Sequence, residues 1–401
     1  LALTIAVFVD GLKPESLEHM PFLNSLVKRR MKTTLGYSPT CYASMFSGVY
    51  PNKHLYWFTW QYAPQTSPYR WLNKSKIDRF SHNIFGKYAL FRTTEFLTST
   101  VPSWHGIMRL TWWDVPVKNW HYFDIAIKKN WFSPNFVKDY PSIFDILAEK
   151  RFPYGNLGLE ETSIEQSLTM VERQTFDGSK QLYFVFIGEI DTLSHRYGQD
   201  SNIVIKQLKL LDHLLAKKLA ALEKKQDVNF LLFSDHGHLT VKEKISLHSI
   251  FKDNGDNLDD YIFFNDGNYA RFWFRNSNEE RQVKRILTAS IGDKGFILNS
   301  DLQKKYKVDM SDNRFGDLVF YVDAPYMLAT RQVKIAGKTI QKKYVSNHGY
   351  LPDYPDSDAV LVSNKKMTSS RSIQLVDICP SILSLLGVDT PTNIDGASVW
   401  K

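Results

Sequence analysis

The sequence predicts an α/β fold, a mostly parallel sheet sandwiched by helices, with an aromatic-rich cap inserted into it. Three observations lead there. Short apolar runs at 3–10, 182–187 and 228–232 leave no room for helices and read as buried strands. Between the last two, Val204, Leu208, Leu211, Leu215, Leu219 and Leu222 recur at helical spacing, an amphipathic helix with His213 off its apolar stripe. Strands alternating with helices argue for a parallel sheet covered on both faces. Each run also ends in a polar turn rich in Asp and His, and open α/β sheets bind ligands outside the carboxyl ends of their strands.

Taken in order, the first strand ends at Asp10-Gly11, and Pro21 can open a helix with Phe22, Leu23 and Leu26 on its apolar face. Residues 33–37 read as a second strand. After it, Ser38 suits an N-cap, Pro39 the first helical position and Gly48 the stop. A hydroxyl at a helix N-terminus faces unpaired N–H groups that favour negative charge, which makes Ser38 a candidate nucleophile; the alternative is an ordinary capping serine.

Residues 55–140 change character and read as the cap insertion. Trp57, Trp60, Trp71, Trp104, Trp112, Trp113, Trp120 and Trp131 lie there, with poor periodicity around them. Such density suits either a stacking surface for sugars or lipids or the private core of an irregular insert. Regular patterning resumes at Ser142 with a helix over 143–148, and Gly155 to Gly158 marks a loop. Residues 239–265 read as loop-rich, 269–274 as a strand, 277–288 as a polar helix and 318–322 as a strand, with 266–335 forming a smaller second insertion. The last helix spans 373–386, Pro380 marking a kink or a late start. The whole, residues 1–401, is expected to be one catalytic domain carrying the two insertions.

Composition narrows the class. Hydrophobic residues make up 43% and charged ones 23%, the balance of a water-soluble globular protein, and no run of eighteen apolar residues occurs. The opening run lacks a basic flank and a small-residue cleavage site, so it reads as a core strand and not as a signal peptide. Cys41 and Cys379 cannot build a disulfide framework or a thiolate zinc site, and with no leader in view the cytoplasm is the expected compartment. The net charge of +8 is scattered without a nucleic-acid motif. No nucleic-acid polymer is expected as a partner, and the charge gives mild attraction for anionic substrates.

Four strand ends or loops supply the chemistry: Asp10, Asp191 with His195, Asp235 with His236, and His348. Asp191 and His195 are one helical turn apart, and Asp235 and His236 share one turn before Gly237. Taken singly, these are also what a capping Asp, a polar turn and a surface His look like. Together, three Asp and three His are six N/O ligands, enough for two divalent metals with open positions.

The same segments carry a resemblance. Val7-Phe8-Val9-Asp10-Gly11, Gly48-Val49-Tyr50-Pro51, Asp191-Thr192-Leu193-Ser194-His195, Ser234-Asp235-His236-Gly237 and Asn347-His348-Gly349 resemble the alkaline phosphatase superfamily, in its type I phosphodiesterase/nucleotide pyrophosphatase branch. The tail, with Asp377-Ile378-Cys379-Pro380, Leu386-Gly387 and Asp395-Gly396, resembles that family's closing helix and loop. The resemblance runs nearly end to end, both insertions excepted. It implies an alkaline phosphatase-like fold and two divalent ions, zinc with manganese as the alternative. Asp191, His195 and His348 would hold one ion; Asp10, Asp235 and His236 would hold the other. It places the nucleophile ten residues before Gly48, at Ser38, with Thr40 as the rival.

The expected activity is hydrolysis of phosphodiester or pyrophosphate bonds through a phosphoseryl intermediate. A phosphomonoesterase or phospho-group transferase, or an inactive binding protein on the same fold, are the alternatives. A sulfatase is not expected, because the superfamily's version needs Arg in a Cys/Ser-x-Pro-x-Arg context and none follows Ser38. Relatives acting on nucleotides often read Thr-x-Pro-Asn at the nucleophile, where this chain has Ser38-Pro39-Thr40-Cys41. They also carry a phosphate-binding Asn where this chain has Thr59. These departures bear on nucleotide use, not on metal-dependent phosphoryl chemistry. An aromatic lid would suit a glycan- or lipid-linked phosphate. His238, in the same turn as His236, stands either behind the ligands or against the substrate.

Overall fold

The computed structural model describes residues 2–74, 86, 89, 115, 117–158, 162–172, 181–329, 333–335, 338–340 and 344–400. Trp104, Trp112 and Trp113 lie outside the described residues. The chain divides into two compact units, one of Leu1–His54, Trp131–Thr240 and Tyr344–Lys401, the other of Leu55–Asn130 and Val241–Lys343.

The first unit is built on seven strands: β1 (Leu3–Val9), β2 (Val27–Lys32), β3 (Tyr154–Leu157), β4 (Leu182–Ile187), β5 (Val228–Phe233), β6 (Ala359–Ser363) and β7 (Ile373–Gln374). Their order across the sheet is β7-β2-β6-β5-β1-β4-β3. β1 runs parallel to β4 on one side and to β5 on the other, with Val9 opposite Ile187 and Phe8 opposite Phe233. Only β6 runs against its neighbours in this sheet. The mostly parallel α/β architecture is therefore the one expected.

Every residue of β1, β4 and β5 is buried, so both faces are covered, as parallel sheets require. Side chains alternate between the faces. Leu3, Ile5, Val7 and Val9 join Tyr183, Val185, Ile187, Phe230 and Leu232 against helix Asn202–Glu223, whose Val204, Leu208, Leu211, Leu215, Leu219 and Leu222 form the buried stripe. His213 is exposed, as its place off the stripe predicts. On the other face Phe8 and Phe186 meet edge to face, and Phe46 of helix Ser38–Ser47 stacks on Trp131 at 5.0 Å. Trp131 also packs against Phe144, Phe184 and Phe186, so it is part of this core.

Several local expectations are corrected. The second strand is Val27–Lys32, not 33–37. It escapes an apolar reading because it lies toward the sheet edge, where Arg30 and Lys32 both pair with Asp358. The stretch with Gly155 is strand β3, not loop, at the sheet's other edge, where one glycine is tolerated. Residues 239–265 hold short strands Leu239–Thr240 and Glu243–Ile245, helix Leu247–Asp253 and most of strand Ile262–Asp266. At the C-terminus Ile373–Gln374 joins the sheet and the helix runs Ile378–Leu385. Pro380 then falls in the first turn, where its missing N–H costs nothing.

The second unit has its own core. Strands Ile262–Asp266, Tyr269–Trp273, Leu318–Val322 and Gly295–Ile297 form an antiparallel sheet in that order. Helix Ser277–Ile291 packs on it through Val283, Ile286, Leu287 and Ile291. Arg271, fully buried, lies 4.2 Å from the ring centroids of both Phe58 and Phe264, and donates to the Trp60 carbonyl and to Asp266. Trp57, Trp60 and Trp120 are buried, so these aromatics serve as core and not as an exposed stacking surface.

His54, at the end of the short helix Pro51–His54 in the first unit, is buried and bonded to Ser44 Oγ at 3.0 Å. Burial lowers its pKa from 6.5 to about 3, so the fold holds it neutral. An unfolded chain takes up a proton here below about pH 6.5, while the folded one does not. This contribution to stability is therefore present above that pH and is lost as pH falls toward 3. The stability difference between the native protein and His54→Gln should shrink by about 1 kcal/mol per pH unit between roughly pH 6 and 4. Urea unfolding across that range measures it, and parallel profiles would refute it.

Candidate active site

Asp10 directly follows β1, Asp235 and His236 follow β5 after Ser234, and Asp191 and His195 lie in helix Glu189–Tyr197, two residues after β4. Because these three strands are adjacent and parallel, their carboxyl ends stand side by side, and so do the residues just past them. His348 comes from the far end of the chain. It follows Ser346–Asn347, which pairs antiparallel with Leu239–Thr240, just beyond the Asp235 turn. All six Asp and His residues predicted as ligands are brought together.

The loops are held by their own hydrogen bonds. Ser234 Oγ donates to the Leu12 carbonyl (2.7 Å) and accepts from Val360 N (2.9 Å). Asp235 Oδ1 accepts from Gly11 N and His236 N, at 3.1 and 3.0 Å. Gln199 Nε2 donates to the Gly11 carbonyl at 2.7 Å. Gly11 sits at φ +70°, and a Cβ there would fall 2.9 Å from His238 Nε2 and 3.2 Å from the Asp191 backbone.

Two triads result. Ligand atoms of Asp10, Asp235 and His236 lie within 4.8 Å of one another, as do those of Asp191, His195 and His348. In the first, His236 Nε2 is 3.4 Å from Asp10 Oδ1 and 3.2 Å from Asp235 Oδ2. In the second, His195 Nε2 is 3.5 Å and His348 Nε2 3.8 Å from Asp191 Oδ1. The triads adjoin, since the His236 and His348 rings stack at 3.6 Å. His195 gives its Nδ1 proton to the Ser346 carbonyl (3.0 Å) and His236 gives its own to the Gly237 carbonyl (3.1 Å). Carbonyls only accept, so each Nδ1 carries its proton and each Nε2 is the ring atom turned toward the carboxylates.

Electrostatics follow burial and charge. Burial alone would raise the Asp191 carboxyl, but His195, His238 and His348 hold it well below the usual carboxylate range. Burial, then His236, pushes His348 well below an ordinary imidazole. Burial also works against charge on His236, yet Asp235 outweighs it and leaves this imidazole raised.

Ser38 proves to be the first residue of helix Ser38–Ser47, with Tyr37 at the cap, one position away from the expected capping role. Its hydroxyl bonds to His236 Nε2 at 3.0 Å. Thr40, the rival, is buried, and its side chain fills the space that a Cβ on Gly36 would take. One contact escapes sequence reading: Tyr42 Oη donates to Asp10 Oδ2 at 2.5 Å. His238 Nε2 lies 2.8 Å from Asp191 Oδ1, against one of the residues predicted as ligands. For Tyr42 the only signal was its place one turn after Ser38; for His238 it was its proximity to His236.

This fold and these clustered carboxylates and imidazoles describe a hydrolase of the alkaline phosphatase superfamily. The sequence profile of the type I phosphodiesterase/nucleotide pyrophosphatase family matches residues 4–351, and the chain belongs to that family. No match is found among curated proteins. Among solved structures, the chain is similar to human ectonucleotide pyrophosphatase/phosphodiesterase 5 (TM-score 0.67, 14% identity, 99% of this chain and 98% of that one). The murine counterpart is similar to the same degree (TM-score 0.67, 13% identity, 98% and 97%). So is an inactive variant of the murine protein in complex with AMP (TM-score 0.64, 14% identity, 98% of each chain).

Gly11 should not accept a side chain. Gly11→Ala forces a left-handed backbone and a contact on Asp191, costing about 1–3 kcal/mol. Chemical denaturation should show that loss, and unchanged stability would mean the turn is looser than its geometry.

Proposed function

We propose that this chain hydrolyses phosphodiester or pyrophosphate bonds with Ser38 as nucleophile and two divalent ions as cofactors, zinc first and manganese second. Asp191, His195 and His348 would hold one ion, and Asp10, Asp235 and His236 the other. The observation that carries this reading is the pair of adjoining triads with the Ser38 hydroxyl 3.0 Å from His236 Nε2. The residues fit such ions: both sets mix carboxylate with imidazole, and the Nδ1 bonds of His195 and His236 leave Nε2 as the atom aimed inward. When bound, the ions supply Lewis acidity and counter-charge to a phosphoryl group.

The residues divide the remaining work. Ser38 Oγ forms a bond to phosphorus while the bond to the leaving oxygen breaks. The leaving oxygen takes up the proton that Ser38 gives up. Water then attacks the phosphoseryl group and restores the hydroxyl. Ser38 stands at the N-terminus of a ten-residue helix, whose dipole favours the negative charge of the transferred group. The fixed tautomers of His195 and His236 keep both imidazoles oriented. A glycan or lipid moiety on the substrate would need an aromatic platform other than Trp57, Trp60 and Trp120, which are buried.

Ser38→Ala should lower turnover of bis(p-nitrophenyl) phosphate at least about a hundredfold, some 2.7 kcal/mol of barrier, with bound metal unchanged. Undiminished turnover with both ions present would remove Ser38 from this role. Chelation should abolish activity and added zinc restore it. Preference for p-nitrophenyl phosphate over the diester would move the reading to a phosphomonoesterase.

A further inference from the structure

Helix Ser38–Ser47 touches the triad of Asp10, Asp235 and His236 twice. Ser38 and Tyr42 are about one turn apart on it and so share a face. Ser38 Oγ bonds to His236 Nε2 at 3.0 Å, and Tyr42 Oη donates to Asp10 Oδ2 at 2.5 Å. A carboxylate that holds a cation is ionised and only accepts, so the phenol is the donor. The separation is that of a charge-assisted O–H···O⁻ bond, about 2.5–2.7 Å. Ser38 has the nucleophile's part in the proposed reaction; Tyr42 has none yet.

Packing fixes where the Tyr42 hydroxyl arrives. The side chain is buried, and its ring meets Phe8 edge to face at 5.3 Å, with Trp131 at 6.3 Å and Phe186 at 6.4 Å. Phe8 lies in β1, the strand that leads directly into Asp10, so one strand seats both the ring and the carboxylate it meets. The bond divides the work of the two Asp10 oxygens. Oδ2 is held by Tyr42, while Oδ1 lies 3.4 Å from His236 Nε2, within the triad. Asp235 is divided in the same way: Oδ1 accepts from Gly11 N and His236 N, and Oδ2 lies 3.2 Å from His236 Nε2. Each carboxylate thus ties down one oxygen and turns the other toward the same imidazole nitrogen. Backbone N–H groups do this for Asp235; for Asp10 a side chain does it.

We propose that Tyr42 is a positioning residue, whose hydroxyl holds Asp10 Oδ2 so that Oδ1 alone serves the cation of the Asp10, Asp235 and His236 set; this rests on the two-metal reading above. Two carboxylates giving one oxygen each, with one imidazole, make three ligand atoms and keep the fourth position of a four-coordinate ion open for chemistry. Released from Tyr42, Asp10 could turn both oxygens inward and close that position. The same helix carries Ser38, so the Tyr42 bond also sets where the nucleophile stands against this triad.

The test uses the full chain and zinc. Tyr42→Phe removes the hydroxyl and keeps the ring. Competition with a chromophoric chelator should show it weakening one of two zinc affinities by at least about tenfold, the other unchanged. Phe46→Leu is the control, since it disturbs the same aromatic packing without touching Asp10, and it should leave both affinities native. Native zinc binding in Tyr42→Phe, a loss spread equally over both sites, or an equal loss in Phe46→Leu would each overturn the proposal. Crystals of the zinc-loaded native chain give a second reading that needs no variant. Asp10 should bind its ion through Oδ1 alone, with Tyr42 Oη still on Oδ2; an ion held by Oδ2 or by both oxygens would overturn the proposal alone. A native chain that binds no zinc would overturn the two-metal reading itself, and this proposal with it.

Discussion

Parallel pairing of β1 with β4 and β5 is the constraint on which the site depends. These three strands are buried on both faces, and a slip of one residue would move every side chain to the opposite face, exchanging the aliphatic contacts on one side for the aromatic ones on the other. Phe8 makes this concrete: it stacks on Phe233 at 5.6 Å and meets Phe186 at 5.2 Å, one partner from each neighbouring strand. With the register held, the residues just past Val9, Ile187 and Phe233 have no choice but to gather. Core packing thus positions three carboxylates that would otherwise repel one another.

That repulsion is what the surrounding shell manages. Asp235 is met by two backbone N–H groups, Asp10 by the Tyr42 hydroxyl, and Asp191 by three imidazoles. Buried carboxylates without such partners would protonate. Here the imidazoles keep Asp191 ionised, while burial keeps His348 neutral. An ionised Asp191 facing a neutral His348 is the pairing of protonation states a divalent cation requires. His236 is the exception, raised by Asp235, and a cation beside it would displace the proton that its carboxylate neighbours favour.

The second unit makes a different use of aromatic residues. Its aromatic side chains close around the guanidinium of Arg271, which satisfies a carbonyl and a carboxylate while its flat faces lie on rings. A buried cation of this kind needs those partners to be tolerated. Among the described residues of the aromatic-rich stretch, Phe58 and Trp60 are tied to the distant Arg271 by its side chain, and not by a repeating pattern along the chain.

How much could be read beforehand differs by type of feature. The central strands and the long amphipathic helix were legible because burial on one face or both writes itself directly into local sequence. All six Asp and His residues were legible as candidates because they sit at strand ends or beside glycines. The charged strand β2 was not, because its residues are satisfied by Asp358 and by backbone carbonyls far along the chain. Nor was the cap of helix Ser38–Ser47, which turns on one residue of backbone geometry. The sequence by itself determined the family, the parallel sheet and the six residues, since each depends on residue type and local spacing. Only the tertiary structure decided that Ser38 faces His236 while Thr40 packs over Gly36. It alone showed that His238 converges on Asp191 with two other imidazoles, because such contacts join residues whose separation along the chain carries no periodic signal.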